Sequence, residues 1–398
     1  MITQNWFKYG VAIITLFLVG CDNDKPFEII VSNSLNIDRS FETVEIDLDL
    51  LKSDITLKLV SGKSYRISEV GSTKELISQL SDIDGDGTAD VLLFQPEIAA
   101  NSNKKFTVTL KDIEVHSDDI PKCYSRFVPE RTDDYAWEND RVAFRTYGPV
   151  AQKMIEDSIP GGTLSSGMDA WLKRVDYPII NKWYKKELET DGSYHEDDGE
   201  GLDNFHVGTS RGVGGIAVKV DTTYQFSRNF TEYKTIETGP LRTSFWITYA
   251  PWKAGEKTIV EKKFISLDRG SNLTKFRVEI EGSETLSVGL TLHEKDGVVT
   301  TDVEKGWVSY WEPYFETELG TGIVAKPNTF LGYDKYETNA KDLSNLYAQL
   351  KVINGEVVYY TGFGWKKSKQ FNTKEEWNNY LAQFAKKVNK PLVVKLSK

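Results

Sequence analysis

The sequence predicts a mainly β protein, an antiparallel β-sandwich with a small β unit at its N-terminal end and one helix near the C-terminus. Three observations predict it. Short runs rich in β-branched and aromatic residues recur along most of the 398-residue chain, separated by Gly, Ser, Asn and Asp. Helical spacing of apolar residues is plain in one place, at Trp377, Leu381, Phe384 and Val388. Cysteine is almost absent, two in all, so a chain of this length must rely on a large core and not on disulfides.

In order along the chain, MITQNWFKYGVAIITLFLVGC comes first, with Lys8, an apolar run over 11–19 and small Gly20 before Cys21. The run is too short to span a bilayer as a helix, and its flanks are those of a secretory signal. Leu18-Val19-Gly20-Cys21 resembles a bacterial lipoprotein cleavage box, in which the cysteine becomes the lipidated first residue. Residues 1–21 are therefore expected to be a signal ending at lipidated Cys21. That implies an outer-membrane lipoprotein attached through its lipid, facing the cell surface or the periplasm. Asp22 and Asp24 resemble the surface-display signal of Bacteroidetes lipoproteins, and Cys123 is left as the lone thiol.

FEIIVSN, ETVEIDLDLL, ITLKLV, ADVLLF and KKFTVTL predict a small N-terminal β-sandwich unit over residues 27–115. The looser HSDDIPKCYSRFVPERTDDYAWEND leads into a large domain over 120–398, with strands such as RVAFRTYG, GGIAVKV, RTSFWITYA, TIVEKKFISLD, TKFRVEIEG, LSVGLTLHE and EVVYYTGFGW. Many strands with turns at regular spacing argue for stacked antiparallel sheets. Thr373 to Glu376 reads as a capping box opening the one clear helix, and PLVVKL reads as a closing strand.

The net charge is −10 and nothing resembles a basic stripe, which argues against a nucleic acid partner. An anionic sugar stays open, because it needs only a local cationic pocket. In DIDGDGTADVLLF, Asp82, Asp84, Asp86 and Asp90 alternate with glycines that let a loop curl around one hard cation, so a structural calcium is one reading. A solvated Asp-Gly hairpin turn is the other. The twelfth loop position is Leu93, which excludes an EF-hand. Catalysis calls for no cofactor in this reading.

Two adjacent stretches hold the candidate chemistry. GMDAWLKRVDYPIINKWYKK interleaves Lys173 and Arg174 with Trp171, Tyr177, Trp183 and Tyr184, a mixture suited either to a sugar pocket or to a core with a charged surface. SYHEDDGEGLDNFHVGTSRGVGG then brings His195, His206, five carboxylates and Arg211 among closely spaced glycines, which suit a backbone that approaches a ligand or another strand. The spacing of His195 and His206 fits no familiar zinc motif.

These stretches, together with ETGPLRTSFWITYAPW and DIDGDGTADVLLF, resemble a family of Bacteroidetes lipoproteins long catalogued as a domain of unknown function, which includes an ulvan oligosaccharide dehydratase. The ETGPLRTSFWITY segment also resembles the long strands of mutarotase-like supersandwiches. The resemblance implies removal of water from a non-reducing-end glucuronate or iduronate, leaving a 4,5-unsaturated uronate. Loss of the C5 proton needs a base and a cation that neutralises the carboxylate, and loss of the 4-hydroxyl needs an acid. His195 is the expected base, Tyr184 or Tyr177 the acid, and Arg211 or Arg174 the cation, with the acid and base roles open to exchange. Lys173, Arg174, Tyr177, Trp171, Ser210 and His293 are the expected substrate-binding residues. Two other functions remain open at this point: a polysaccharide lyase, which expels a sugar instead of water, and a non-catalytic glycan-binding lipoprotein.

Overall fold

The computed structural model describes residues 27–52, 54, 57–113 and 121–397. The expected signal and the lipidation at Cys21 lie outside the described residues. The fold is mainly β and antiparallel, built as stacked sheets.

The N-terminal unit is a sandwich of two sheets. One has the order Val393–Leu396, Phe27–Ser32, Asn103–Asp112, Lys63–Glu69, Glu75–Leu76, and the other the order Val44–Asp47, Val91–Phe94, Ser78–Ser81. Ile29, Val31, Ile67, Phe106 and Val108 meet Val44, Ile46, Leu92 and Phe94 between them. The alternation in VEID, buried then exposed, shows one face turned inward. VLLF is buried on both faces, because Leu92 and Phe94 enter this core while Val91 and Leu93 pack on Leu241 of the large domain. The closing strand expected at PLVVKL forms, but on this sheet, where Val394 is opposite Val31. The expected division at 115/120 therefore assigns that strand to the wrong side.

In the large domain a nine-stranded antiparallel sheet, running from Phe230–Glu237 at one edge to Val298–Asp302 at the other, forms one layer. The second layer is two five-stranded sheets, one containing Asp134–Glu138, Ala143–Thr146 and Asp169–Lys173, the other Val213–Val220, Thr285–Thr291 and Asn345–Lys351. A parallel bridge between Met168 and Gly212 joins them. One buried cluster fills the space between layers, with Trp137, Phe144 and Leu172 from the first small sheet, Val213, Ile216 and Leu290 from the second, and Phe245, Phe276 and Tyr359 from the large one.

Four α-helices among the described residues decorate these sheets: α1 (Leu48–Lys52), α2 (Pro149–Glu156), α3 (Ile180–Glu189) and α4 (Lys374–Asn389). The expected helix is α4. The Thr373 hydroxyl accepts from the Glu376 N–H at 3.2 Å, while the Glu376 carboxylate reaches back to the Asn372 N–H at 2.7 Å. Trp377 and Leu381 are buried on the outer face of the nine-stranded sheet, with Phe384 and Val388 partly so. The helix sits close because the sheet offers glycines beneath it: a Cβ on Gly322 would lie 2.5 Å from Leu381, and one on Gly364 2.9 Å from Trp377. The helix α3 was not anticipated. Its Ile180, Trp183 and Tyr184 share one buried face, and the buried Glu138 carboxylate accepts the Ile179 and Ile180 N–H groups at 2.9 Å, capping its start.

Candidate functional site

The segment from 190 to 212 crosses one end of the second layer largely without regular structure. Its glycines serve chain packing. Gly212 has φ +60°, and a Cβ there would lie 2.0 Å from the Met168 carbonyl, so the bridge between the two small sheets requires this residue. Of the two readings of this glycine cluster, close approach to another strand describes Gly212.

Two adjoining cavities, of about 640 and 550 Å³, meet over this segment and share Asn204, His206, Lys341 and Asp342. Together they form a groove within the range of about 300–1,000 Å³ per pocket usual for small-molecule sites. His195, His206 and His293, the three histidines of the described residues, all line it. Lys341 is exposed in the shared wall and makes no ion pair among the described residues, while Lys295 Nζ donates to the Thr338 carbonyl at 2.7 Å.

His195 has one ring nitrogen committed. Its Nδ1 is 2.5 Å from the Asp203 carbonyl, and since a carbonyl only accepts, Nδ1 carries the proton and Nε2 presents its lone pair. Its ring packs edge-on against Tyr194, and its side chain is 54% exposed, so Nε2 is accessible. Across the groove His293 is held differently. Its Nδ1 lies 2.6 Å from Oε1 of Glu312, a carboxylate only 1% exposed, while Phe205 and Tyr314 pack on the ring. His293 Nε2 and Glu312 Oε2 are buried without partners. Burial raises the Glu312 carboxyl above its ordinary range, against the pull of His293.

The floor beneath His195 is an ionic cluster around Arg145. Its guanidinium donates to Asp169 at 2.7 Å and 3.0 Å, to Asp203 at 2.7 Å and to the Tyr194 hydroxyl at 3.1 Å. The Tyr147 hydroxyl adds a third bond to the same Asp169 oxygen, and Tyr147 lines the groove. With several carboxylates around one guanidinium, burial outweighs Arg145 and pushes Asp203 well up, and Asp134 to about 6. Arg145 is thus occupied internally. Its function here is to fix Asp203, whose carbonyl orients His195.

The other expected site residues lie elsewhere. Arg211 is 0% exposed, donates to the Ser166 hydroxyl and the Thr209 carbonyl, and stacks at 3.7 Å on Phe226; burial lowers it to about 10. It does not face the groove, which corrects its expected contact with a substrate carboxylate. Tyr184 is 1% exposed, bonds Asp134 and is not among the residues that line the groove, unlike His293, so it does not reach a leaving group there. Lys173 is 0% exposed, pairing with Glu138 at 2.7 Å, and Trp171 is buried between α3 and Arg145. Arg174 pairs with Asp197 and Tyr177 bonds Glu200, both outside the walls of the groove. Ser210 is buried against Thr291, which does line the groove. Of these expectations the structure brings His195 and His293 to one groove. Asp82, Asp84 and Asp86 place carboxylate oxygens within 4.8 Å of one another, a geometry that suits a hard cation, whereas Asp90 is turned to the Ile83 N–H.

Sequence reasoning missed Tyr147, Arg145 and Glu312. The signal for the first two was present: in RVAFRTYG an arginine interrupts an apolar strand run and a tyrosine follows two places on. Glu312 lies 19 residues from His293 and no local pattern joins them.

A family model described as Domain of unknown function (DUF4861) matches residues 31–394. The chain belongs to this family. A relative from Formosa agariphila, called Uncharacterized protein P7, is 56% identical over 391 residues, 98% of each chain. Among solved structures, this member of the family is similar to a protein in the glycosyl hydrolase family 38 from Enterococcus faecalis (11% identity, TM-score 0.51, 94% of this chain and 48% of that one). It is also similar to an alpha-mannosidase from Enterococcus faecalis V583 (12% identity, TM-score 0.48, 94% and 46%). The chain spans about half the length of these two structures, and the likeness to the glycosyl hydrolase family 38 protein is one of fold.

Proposed function

We propose that this protein is a carbohydrate-active hydro-lyase that removes water from the uronate at the non-reducing end of an ulvan-type acidic oligosaccharide. The observation that carries the reading is the pair of differently held histidines on one groove. Elimination needs a group that accepts a proton at one carbon and another that gives a proton to the departing oxygen. His195, with Nδ1 tied to the Asp203 carbonyl, presents an acceptor. His293, with Nδ1 held by Glu312, takes the donor role from Nε2 in the form that carries a proton on both ring nitrogens.

His195 Nε2 takes the C5 proton, the C5–H electrons form the C4–C5 double bond, and the C4–O bond breaks. The oxygen leaves as water with the proton from His293 Nε2. Lys341 supplies the cation that makes the C5 proton acidic by pairing with the carboxylate. His293 takes over the acid role expected of Tyr184, and Lys341 the cation role expected of Arg211. The fold-level likeness to part of a glycosyl hydrolase family 38 protein accords with a saccharide substrate, by analogy alone. We place the protein in the outer membrane through a lipid on Cys21, where polymer fragments arrive.

The test is mass spectrometry and ultraviolet absorbance of uronate-ended oligosaccharides incubated with the protein. The expected product is lighter by one water, absorbs through its conjugated double bond and keeps its chain length. Chain shortening with the same chromophore would make the protein a lyase, and no new double bond across a panel of uronate-ended substrates would leave a binding protein.

A further inference from the structure

Another cavity, of about 480 Å³, shares no lining residue with the histidine groove and lies on the outer face of the nine-stranded sheet where the N-terminal unit and α4 close over it. Its charge balance is unusual for a protein with a net charge of −10. Lys275, Lys326 and Lys387 line it, and none has an ion-pair or hydrogen-bond partner for its ammonium among the described residues. The carboxylates nearby are already taken. Glu42 is held by Arg39 through two contacts, and the Arg242 guanidinium binds Asp268 at 2.6 and 2.9 Å and Glu45 at 2.7 Å. Burial lowers both Lys275 and Lys387 from the ordinary lysine range; Arg242 adds to the effect at Lys275, while Glu45 and Asp268 at Lys275 and Glu42 at Lys387 partly offset it. Both lysines are half-buried, and a partly desolvated ammonium whose nearest carboxylates are bound by arginines costs stability, so a cavity that retains two of them without an ion pair or hydrogen bond is suited to an anion from outside.

The rest of the cavity is aromatic. Tyr360 and Phe384 lie in its wall, and Phe41 stands at it 55% exposed with φ +52°, a left-handed conformation uncommon for a bulky residue. Gly270 accommodates that ring, since a Cβ there would lie 2.8 Å from Phe41. Ring faces beside cationic heads match a sugar that carries an acidic group.

We propose that this cavity is a second saccharide site, separate from the histidine groove, which holds an acidic sugar residue with its carboxylate or sulfate ester against Lys275 and Lys387 and its ring against the aromatic wall. The saccharide nature of the occupant rests on the proposed function; the anion site rests on the unpaired lysines alone. A site with walls of its own would hold a longer oligosaccharide, or a neighbouring polymer, while the groove works on an end.

The experiment is titration calorimetry with a glucuronate-containing tetrasaccharide, its sulfated form and a neutral tetrasaccharide, in a His195→Ala background so that turnover does not intrude. Either acidic form should bind with an affinity that falls as salt rises, the neutral one should not, and Lys275→Met/Lys387→Met should weaken binding at least tenfold. Which acidic form binds identifies the anion. Affinity within twofold of the parent in the double variant, or equal binding of the neutral sugar, overturns the proposal. A second readout separates a ligand role from a structural one: without ligand the double methionine variant should melt higher than its parent, because two partly desolvated charges that make no ion pair are gone, and a lower melting temperature overturns the proposal. Dehydration of a short substrate should be unchanged by the same pair of substitutions in the unmodified protein, so loss of the second site and failure of the hydro-lyase reading give different results.

Discussion

Glu312→Gln tests the acid role of His293 most directly. The substitution keeps shape and one acceptor oxygen but removes the charge that sits 2.6 Å from His293 Nδ1. A hydrogen bond to a charged group contributes about 1.5–3 kcal/mol, against about 1 for a neutral one. That difference is about 0.5–2 kcal/mol; if the imidazolium gains most of it, and each 1.4 kcal/mol is about tenfold, turnover should fall by about 2- to 30-fold with KM little changed. The fold should tolerate it, because Glu312 is 1% exposed and burial already disfavours its charge. The assay compares two substrates, a uronate-ended oligosaccharide and its 4-deoxy-4-fluoro analogue. Fluoride departs with little need of a proton, so Glu312→Gln and His293→Gln should both be damaged on the hydroxyl substrate and far less so on the fluoro one. Equal damage on both substrates, or turnover within twofold of the parent on the hydroxyl substrate, would refute an acid at His293. His195→Ala provides the contrast, since loss of the base should slow both substrates by about two to four orders of magnitude.

Asp134 provides a pH prediction. Its carboxyl is raised from 3.8 to about 6 by burial, so the folded state binds its proton more tightly than the unfolded state. The stability this confers is complete below about pH 4 and is lost as pH rises through about 6, a total of about 3 kcal/mol. Asp134→Asn should therefore flatten the stability profile between those values in denaturant titrations, and an unchanged slope would remove Asp134 as its source. Gly322→Ala should destabilise by about 1–3 kcal/mol, read from the urea midpoint, because its Cβ would meet Leu381 of α4 at 2.5 Å. Calcium, held by Asp82, Asp84 and Asp86 as we propose, should raise the melting temperature, and Asp84→Ala should abolish the increment; no shift in the parent protein would leave a plain turn. Cys21→Ser should move the protein from the membrane fraction to the soluble one with turnover unchanged, and its retention in the membrane would place the anchor elsewhere.

The sheets were legible because alternation in segments such as VEID and TIVEKKFISLD is imposed by a half-buried surface, and α4 because its stripe spans four turns behind a capping box. The helix α3 was not, since INKWYKKELE offers only one short apolar face amid charges. The same local view misplaced Lys173 and Arg211. Charged residues beside aromatic rings suggested a wall facing solvent, yet DAWLK is buried on both faces, sandwiched between the domain core and α3, and Lys173 finds Glu138 inside. His195 was legible as chemistry from its neighbours. Its pairing with His293 and Glu312 depends on the second layer folding over the first, a long-range fact that no spacing records.

The strand Val393–Leu396 completes the edge of the sheet that begins with Phe27–Ser32, so the last strand in the sequence is stitched to the first. Residues 27–113 are therefore not a removable module. Excised on their own they would present Phe27–Ser32 as a bare edge, with unpaired N–H and C=O groups ready to template a second copy. In the whole protein the same edge stays open during synthesis until the C-terminal strand emerges, after every other strand has been made. Any fusion or truncation near residue 393 thus acts on the far end of the chain, and a tag placed there tests the integrity of the N-terminal unit as much as that of α4.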